Sequence, residues 1–251
     1  QAEDGIRDGI VRLVGSEMCI RDRVWITRSQ PGADRHAEAL RLQGYEVLLQ
    51  PVLDIEPIHV SELEHRFDSV VFLSEHAVRC GLPHLELQGS AVFAVGGRTA
   101  EVLAAAGIKA RAPDDPSSEG LLRMPELQQV RDARILLVCG AAGRELLAPA
   151  LTTRGARVEK LVCYRRVPAG KLTADACAVD AIVAASGDGL EQIARLWFAV
   201  GGRPDVALLV PSARVAEKGV ELGFINIHDC AGADTAAVLR TLQALRATGA
   251  K

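Results

Sequence analysis

Residues 24–51, VWITRSQPGADRHAEALRLQGYEVLLQP, read as one complete strand–turn–helix–strand unit. An apolar run opening at Val24 forms the strand, and Leu40 and Leu42 belong to an amphipathic helix. Gly44 is the helix stop, and Tyr45–Leu49 return as a second strand. The same pattern recurs at 134–164, RILLVCGAAGRELLAPALTTRGARVEKLVCY, with Gly155 as the stop. A second kind of unit, DSVVFLSEHAVRCGL (68–82), is echoed by DAIVAASGDGLEQIARL (180–196). A third, SAVFAVGGRTAEVLAAAGIKARAP (90–113), is echoed by DVALLVPSARVAEKGVELGFINIH (205–228). The three kinds follow one another in the same order twice. Strands alternating with helices favour parallel sheets covered on both faces, with right-handed crossovers. The expected fold is therefore α/β, with two small parallel-sheet lobes, each three-layered and doubly wound.

Composition sets the outer limits. A chain of 251 residues holds one large domain or two small ones. The formal charge is −3 and aromatic residues make up 4%, so there is neither a global basic field nor a supply of stacking rings, and no nucleic-acid partner is expected. Cys19, Cys80, Cys139, Cys163, Cys177 and Cys230 lie far apart without a CxxC pair or paired Cys/His spacing. That spacing predicts free thiols in a reducing compartment and no metal site. No apolar run reaches membrane-spanning length and no secretory signal pattern opens the chain, so the expected location is the cytoplasm. No heptad pattern marks an association surface, and a monomer is expected. Residues 1–23, QAEDGIRDGIVRLVGSEMCIRDR, lack helical or strand periodicity and read as an extension outside the domain.

In open parallel sheets ligands bind beyond the carboxyl ends of the strands. The turns at those ends read TRSQ, LSEH, VGGRT, CGAAGR, ASGDG and PSAR. Hydroxyls, glycines and arginines suit carboxylates better than an apolar ligand. The stretch AVGGRTAEVLAAAG (94–107) carries neither GxGxxG nor GxxxxGK[ST], so no nucleotide is implied. There Gly96 and Gly97 turn the chain and Thr99 caps the following helix, with or without an anion at the first helical N–H groups. The proline-bearing segments PVLDIEP (51–57) and YRRVPAG (164–170) read as linkers.

The string ITR (26–28), the PVLDIEP exit, VVFLSEHAV, FAVGGRTAEVLAAAG, SSEGLL (117–122), GAAGRELLAPAL and VCYRR (162–166) together resemble uroporphyrinogen-III synthase. The resemblance spans nearly all of 24–246. It implies a discontinuous first lobe, 24–52 plus 168–247, and a second lobe, 57–163, facing each other across a cleft. Two extended linkers, 53–56 and 164–167, join them. The implied reaction is the cofactor-independent cyclisation of hydroxymethylbilane, a linear tetrapyrrole with eight carboxylates, to uroporphyrinogen III. Water is lost and the last ring is inverted. Transient contact with the preceding pathway enzyme is allowed for. A non-catalytic two-lobed protein that binds a small polycarboxylate would use the same turns and stays open as the alternative.

The family's cleft tyrosine matches Tyr164, whose phenol could protonate the departing hydroxyl; without the family the same residue reads as an aromatic packed at a strand end. Thr99 matches the threonine of the family's VGxxTA turn, beside Gly97. Ser74 and Ser186 match paired TS turns, with Gly187 following, and Ser212 matches the turn of the last unit. Each hydroxyl either donates to a carboxylate or only caps a helix. Thr27 lies in the first turn, and Arg28, Arg98, Arg144 and Arg214 are candidate carboxylate clamps or surface arginines bonded within their own loops. Departures from the family pattern are Leu73 and His76 in FLSEHAV for FTSxNAV, TRS for TRP, and Ala185 before Ser186. His76 beside a helix start reads as structural.

Overall fold

The computed structural model describes residues 22–60, 63, 66–143, 145–172 and 178–248. Strand β1 (Arg23–Ile26), helix α1 (Gly32–Leu42), β2 (Glu46–Leu49) and β3 (Leu53–Pro57) come first. They are followed by β4 (Ser69–Phe72), α2 (Glu75–Gly81), β5 (Ala91–Ala94), α3 (Gly97–Ala105), α4 (Ser118–Arg123) and α5 (Pro125–Gln128). Next are β6 (Arg134–Gly140), α6 (Leu147–Thr153), β7 (Arg157–Pro168), β8 (Ala181–Val183) and α7 (Gly187–Ala199). The chain closes with β9 (Ala207–Val210), α8 (Ala213–Glu221), β10 (Ile227–Asp229) and α9 (Thr235–Thr248). The described residues form two compact units: one takes those up to Thr27, in Gly32–Gln50 and from Leu172 onward, the other those in Arg28–Pro31 and Pro51–Lys171.

The first unit holds a five-stranded sheet in the order β10-β9-β8-β1-β2, with every pairing parallel. Its inner strands β1, β8 and β9 are short and, Arg23 aside, wholly apolar because both of their faces are covered, as in parallel sheets. Val24, Ile26, Ala181, Val183 and Leu209 pack with Ala33 and Leu40 of α1 and Ala237, Val238 and Leu242 of α9. Alternation sends Trp25 to the other face, where its ring lies 6.3 Å from that of Trp197 on α7. Gly219 lets α8 close on that face, since a Cβ there would stand 2.9 Å from Ile227 Cδ1.

The second unit also has five strands, ordered β3-β7-β6-β4-β5. Period-two alternation divides β4 between two cores: Val70 and Phe72 pack with Ala77, Val78 and Leu103, whereas Val71 packs with Leu121, Leu147 and Leu151. Each fully buried Phe, Leu or Ile contributes about 1.5–3 kcal/mol of transfer free energy, so both faces hold the sheet.

This sheet is mixed, with one antiparallel edge. Segments 53–56 and 164–167, expected as extended linkers, are strand: β3 pairs antiparallel with the end of β7, from Leu53↔Pro168 to Pro57↔Tyr164. Prolines are tolerated because β3 is an edge strand and Pro168 sits at a strand end. Arg165 binds Glu56 in a two-pronged ion pair across this edge, at 2.9 and 3.0 Å.

Candidate active site

In each sheet the unit's first parallel strand lies inside. In the first unit β1 stands between β2 and β8, and in the second β4 stands between β5 and β6. The helices leaving neighbouring strands there depart on opposite faces. Thus α2 packs with the Phe72 side of the second sheet and α6 with the Val71 side. Such a reversal opens a crevice beyond the carboxyl ends of the strands.

In the second unit, three sequence features meet near that crevice. Ser74 follows β4, Gly140 ends β6, and Tyr164 lies on β7 opposite Gly140. The register shifts between Cys139 and Gly140, because Cys139 pairs with Val162 whereas Gly140 pairs with Tyr164, leaving Cys163 as the extra residue. A bulge of this kind re-aims the next side chain. Successive residues of a regular strand point to opposite faces, yet Cys163 and Tyr164 both belong to the α2-side core. The bulge therefore turns Tyr164 toward α2. Its phenol oxygen lies 3.0 Å from Ser74 Oγ, and its ring centroid is 5.6 Å from that of His76. A Cβ on Gly140 would stand 2.6 Å from Tyr164 Cζ, so only glycine admits the ring. Tyr164 is 5% exposed and is held in one place.

Ser74 is the N-cap of α2 and accepts the Ala77 N–H at 3.0 Å. Burial holds the His76 imidazole below its ordinary pKa of 6.5; Arg166 and Arg79 push the same way against Glu75. Its neutral form therefore faces Tyr164 across the tilted ring contact. Cys80, Cys139 and Cys163 are free thiols in this unit. Burial is the main cause that raises each thiol, Cys163 to about 12, so they are not nucleophiles at neutral pH.

The VGGRT turn differs from its expected chemistry in one respect. Thr99 does not cap α3: the N-cap is Gly96, without a side-chain cap bond, and Thr99 is buried in the first turn at 4% exposure. A Cβ on Gly96 would stand 2.6 Å from Pro116 Cβ, so the packing of the 116 loop selects glycine at the cap position. Gly97 is exposed, with none of the described residues within 4 Å of where its Cβ would stand, and Arg98, also exposed, is ion-paired with Glu101 one turn along the helix.

In the first unit, Thr27 is buried and its Oγ1 donates to the Val183 carbonyl at 2.6 Å, tying the ends of β1 and β8 together. Ser186 caps α7 by accepting the Gly189 N–H at 3.2 Å. Ser212 occupies the N-cap position of α8 without a side-chain cap bond, and Arg214 follows, exposed. Arg28 is half-buried and groups with the second unit. Arg144 lies outside the described residues.

Sequence reasoning missed two residues. Gly140 carried a signal, since a lone glycine at a strand end marks a close approach. Lys218 carried none: it reaches the start of α7 from α8, its Nζ 3.9 Å from where a Gly187 Cβ would stand, and pairs with Glu191. Among the described residues no group of three His, Cys, Asp or Glu is placed to hold a metal ion, and no helix is long and apolar enough to cross a membrane.

Residues 34–237 match the family model described as uroporphyrinogen-III synthase HemD. The uroporphyrinogen-III synthases of Salmonella typhimurium and Escherichia coli K12 are each 32% identical to this chain, over 88% of it and 99% of their own length. Among solved structures, uroporphyrinogen-III synthetase from Helicobacter pylori superposes with a TM-score of 0.62 at 15% identity, covering 90% of this chain and all of that one. A mutant uroporphyrinogen III synthase from Thermus thermophilus gives 0.55 at 22% identity, covering 90% of this chain and 99% of that one.

Proposed function

We propose, from the premise that the chain belongs to the uroporphyrinogen-III synthase family, that it closes hydroxymethylbilane to uroporphyrinogen III with loss of water and inversion of the last ring. The match across 34–237, with 99% of two relatives covered, carries this reading.

The electron-rich terminal pyrrole expels its own hydroxyl once that oxygen is protonated. Tyr164 supplies the proton, as the phenol fixed beside the β4–β6 crevice. The resulting cation is attacked from the substituted carbon of the last ring, giving a spiro intermediate that reopens and recloses with that ring inverted. Because the free chain closes without inversion, the enzyme acts chiefly by positioning, which supplies up to ~7–11 kcal/mol in ideal intramolecular cases. The carboxylates give the handles.

The turns offer donors of unequal freedom. The hydroxyls of Thr27 and Ser186 are already bonded inside their own unit, so those turns, with Gly187, contribute backbone N–H groups. The freest donors are the exposed start of α3, with Gly97 next to buried Thr99 and Arg98 held by Glu101, and the start of α8, with Ser212 and Arg214. Arg28 and Arg144 complete the proposed set of clamps. We take the protein to act as a monomer in the cytoplasm, where its free thiols stay reduced, with no cofactor and at most a transient contact with the enzyme that delivers its unstable substrate.

The test generates hydroxymethylbilane in place, oxidises the product and separates the porphyrin isomers. Isomer III in excess of isomer I is expected. Isomer I alone, with folded protein present, would leave a polycarboxylate-binding protein without chemistry.

A further inference from the structure

Ser74 Oγ has two partners among the described residues, the Ala77 N–H at 3.0 Å and the Tyr164 hydroxyl at 3.0 Å. A serine hydroxyl has one hydrogen and two lone pairs. One lone pair is taken by the Ala77 N–H, which leaves two proton arrangements for the contact with Tyr164. If the phenol donates to Ser74, its proton is spent inside the protein and the serine hydrogen has no acceptor among the described residues. If Ser74 donates to the phenol oxygen, the serine is satisfied and the phenol hydrogen is left for whatever enters the crevice.

We infer that Ser74 is a positioning residue for the reaction: its hydroxyl donates to the phenol oxygen of Tyr164, freeing the phenol proton for the substrate's departing hydroxyl and holding the phenolate that remains. This rests on the proposed role of Tyr164 as the acid. The donors run one way, from the Ala77 N–H to Ser74, from Ser74 to Tyr164, and from Tyr164 to the substrate oxygen. Accepting from the Ala77 N–H polarises the serine O–H and makes it the better donor. As the carbon–oxygen bond of the hydroxymethyl group breaks, the phenol proton leaves with the oxygen as water. The phenolate then keeps a charge-assisted bond from Ser74. It recovers a proton when the ring carbon that closes the macrocycle gives up its hydrogen, so the enzyme ends as it began. Gly140 serves the same geometry from the other side, because the ring lies where any Cβ would be.

Capping and donating are separable by substitution. Aspartate at an N-cap accepts the Ala77 N–H as well as serine does, but an ionised carboxylate has no hydrogen to give. Ser74→Asp should keep or raise the melting temperature while drawing the Tyr164 proton onto the carboxylate. Ser74→Thr keeps both the cap and the hydrogen.

The first readout needs no substrate. The chain has two tyrosines, so in a Tyr45→Phe background the Raman Fermi doublet reports Tyr164 alone, and its intensity ratio separates a phenol that accepts from one that only donates. The parent should show an accepting phenol, Ser74→Ala should lose that component, and Ser74→Asp should show a strong donor. A donor-only doublet in the parent, unchanged in Ser74→Asp, would overturn the assignment. The parent and Ser74→Ala spectra decide it even if Ser74→Asp does not fold. In the isomer assay, Ser74→Asp should lose isomer III formation by about 10²-fold, as far as Tyr164→Phe does, and Ser74→Thr should recover most of it. A Ser74→Asp enzyme as fast as the parent would reduce Ser74 to a cap. If the parent itself makes no isomer III, the activity reading falls, while the Raman comparison still decides the direction of the bond.

Discussion

The Tyr164 ring occupies the space a side chain on Gly140 would need, with the phenol Cζ 2.6 Å from the position of a Cβ. Below 3.0 Å something must move, and here the obstacle is a ring pinned between β6 and α2 rather than a flexible tip. Gly140→Ala should therefore displace the phenol from Ser74. The expected result is a loss of isomer III formation of about 10-fold or more, with a stability cost of about 1–3 kcal/mol from overpacking. The isomer assay run beside a thermal melt checks this, and a folded Gly140→Ala with the parent's rate would contradict it.

Thr27 is a tie between strands before it is anything else. Its hydroxyl donates to Val183 at 2.6 Å while the residue is 2% exposed. Thr27→Val keeps the shape but removes the bond, and should cost about 1–2 kcal/mol of stability. Thr27→Ser should cost less. A Thr27→Val protein as stable as the parent but deficient in turnover would assign the hydroxyl to substrate instead.

Tyr45 carries a buried hydroxyl without a hydrogen-bond partner among the described residues. Burial raises its phenol above 10.0, against the pull of Arg246, whose guanidinium lies 5.0 Å over the ring. A raised folded value means that the native state holds its proton longer than the unfolded chain does. Stability is then full below about pH 10 and falls as the pH rises past it. Tyr45→Phe keeps the ring and the cation contact. It should raise stability by up to about 1 kcal/mol and remove that alkaline decline. Melting curves at neutral and alkaline pH test both points.

His76 works in the opposite window. Its folded pKa is lowered, chiefly by burial, so above 6.5 both states are neutral and it contributes nothing. As the pH falls below 6.5 the unfolded chain takes the proton first, and stability declines until the folded value is reached. His76→Gln should flatten that slope in denaturant midpoints. A residual slope should persist from His228, whose pKa is also lowered by burial. An unchanged slope in His76→Gln would mean the imidazole is protonated in the native state.

The layers of this fold were legible from the chain because the parallel strands are short apolar runs covered on both faces. In β4, Val71 points one way and Val70 and Phe72 the other, as a period of two requires. The strand order was not legible, because it depends on which strands of distant units pair. For the same reason the proline segments could be read as extended but not as partners, although β3 and β7 pair with each other across more than a hundred residues.

Of the site, residue types at strand ends could be read, but their partners could not. Thr99 looked like a cap because threonine often is one; the approach of Pro116 to Gly96 moved the helix start back past it. Tyr164 reaches Ser74 through a one-residue bulge at Cys163, a shift with no local sequence mark. Lys218 meets the start of α7 only because two amphipathic helices pack side by side.

The most direct test compares the parent with Tyr164→Phe in the isomer assay. In the proposed mechanism Tyr164, held beside the β4–β6 crevice by Ser74 and Gly140, is the acid that starts the closure. The parent should give isomer III, and the phenylalanine variant, which keeps the ring and loses only the hydroxyl, should fall toward the isomer I background while staying folded, with a stability cost of about 1–2 kcal/mol for the lost bond to Ser74. A Tyr164→Phe protein that makes isomer III at the parent's rate would contradict it.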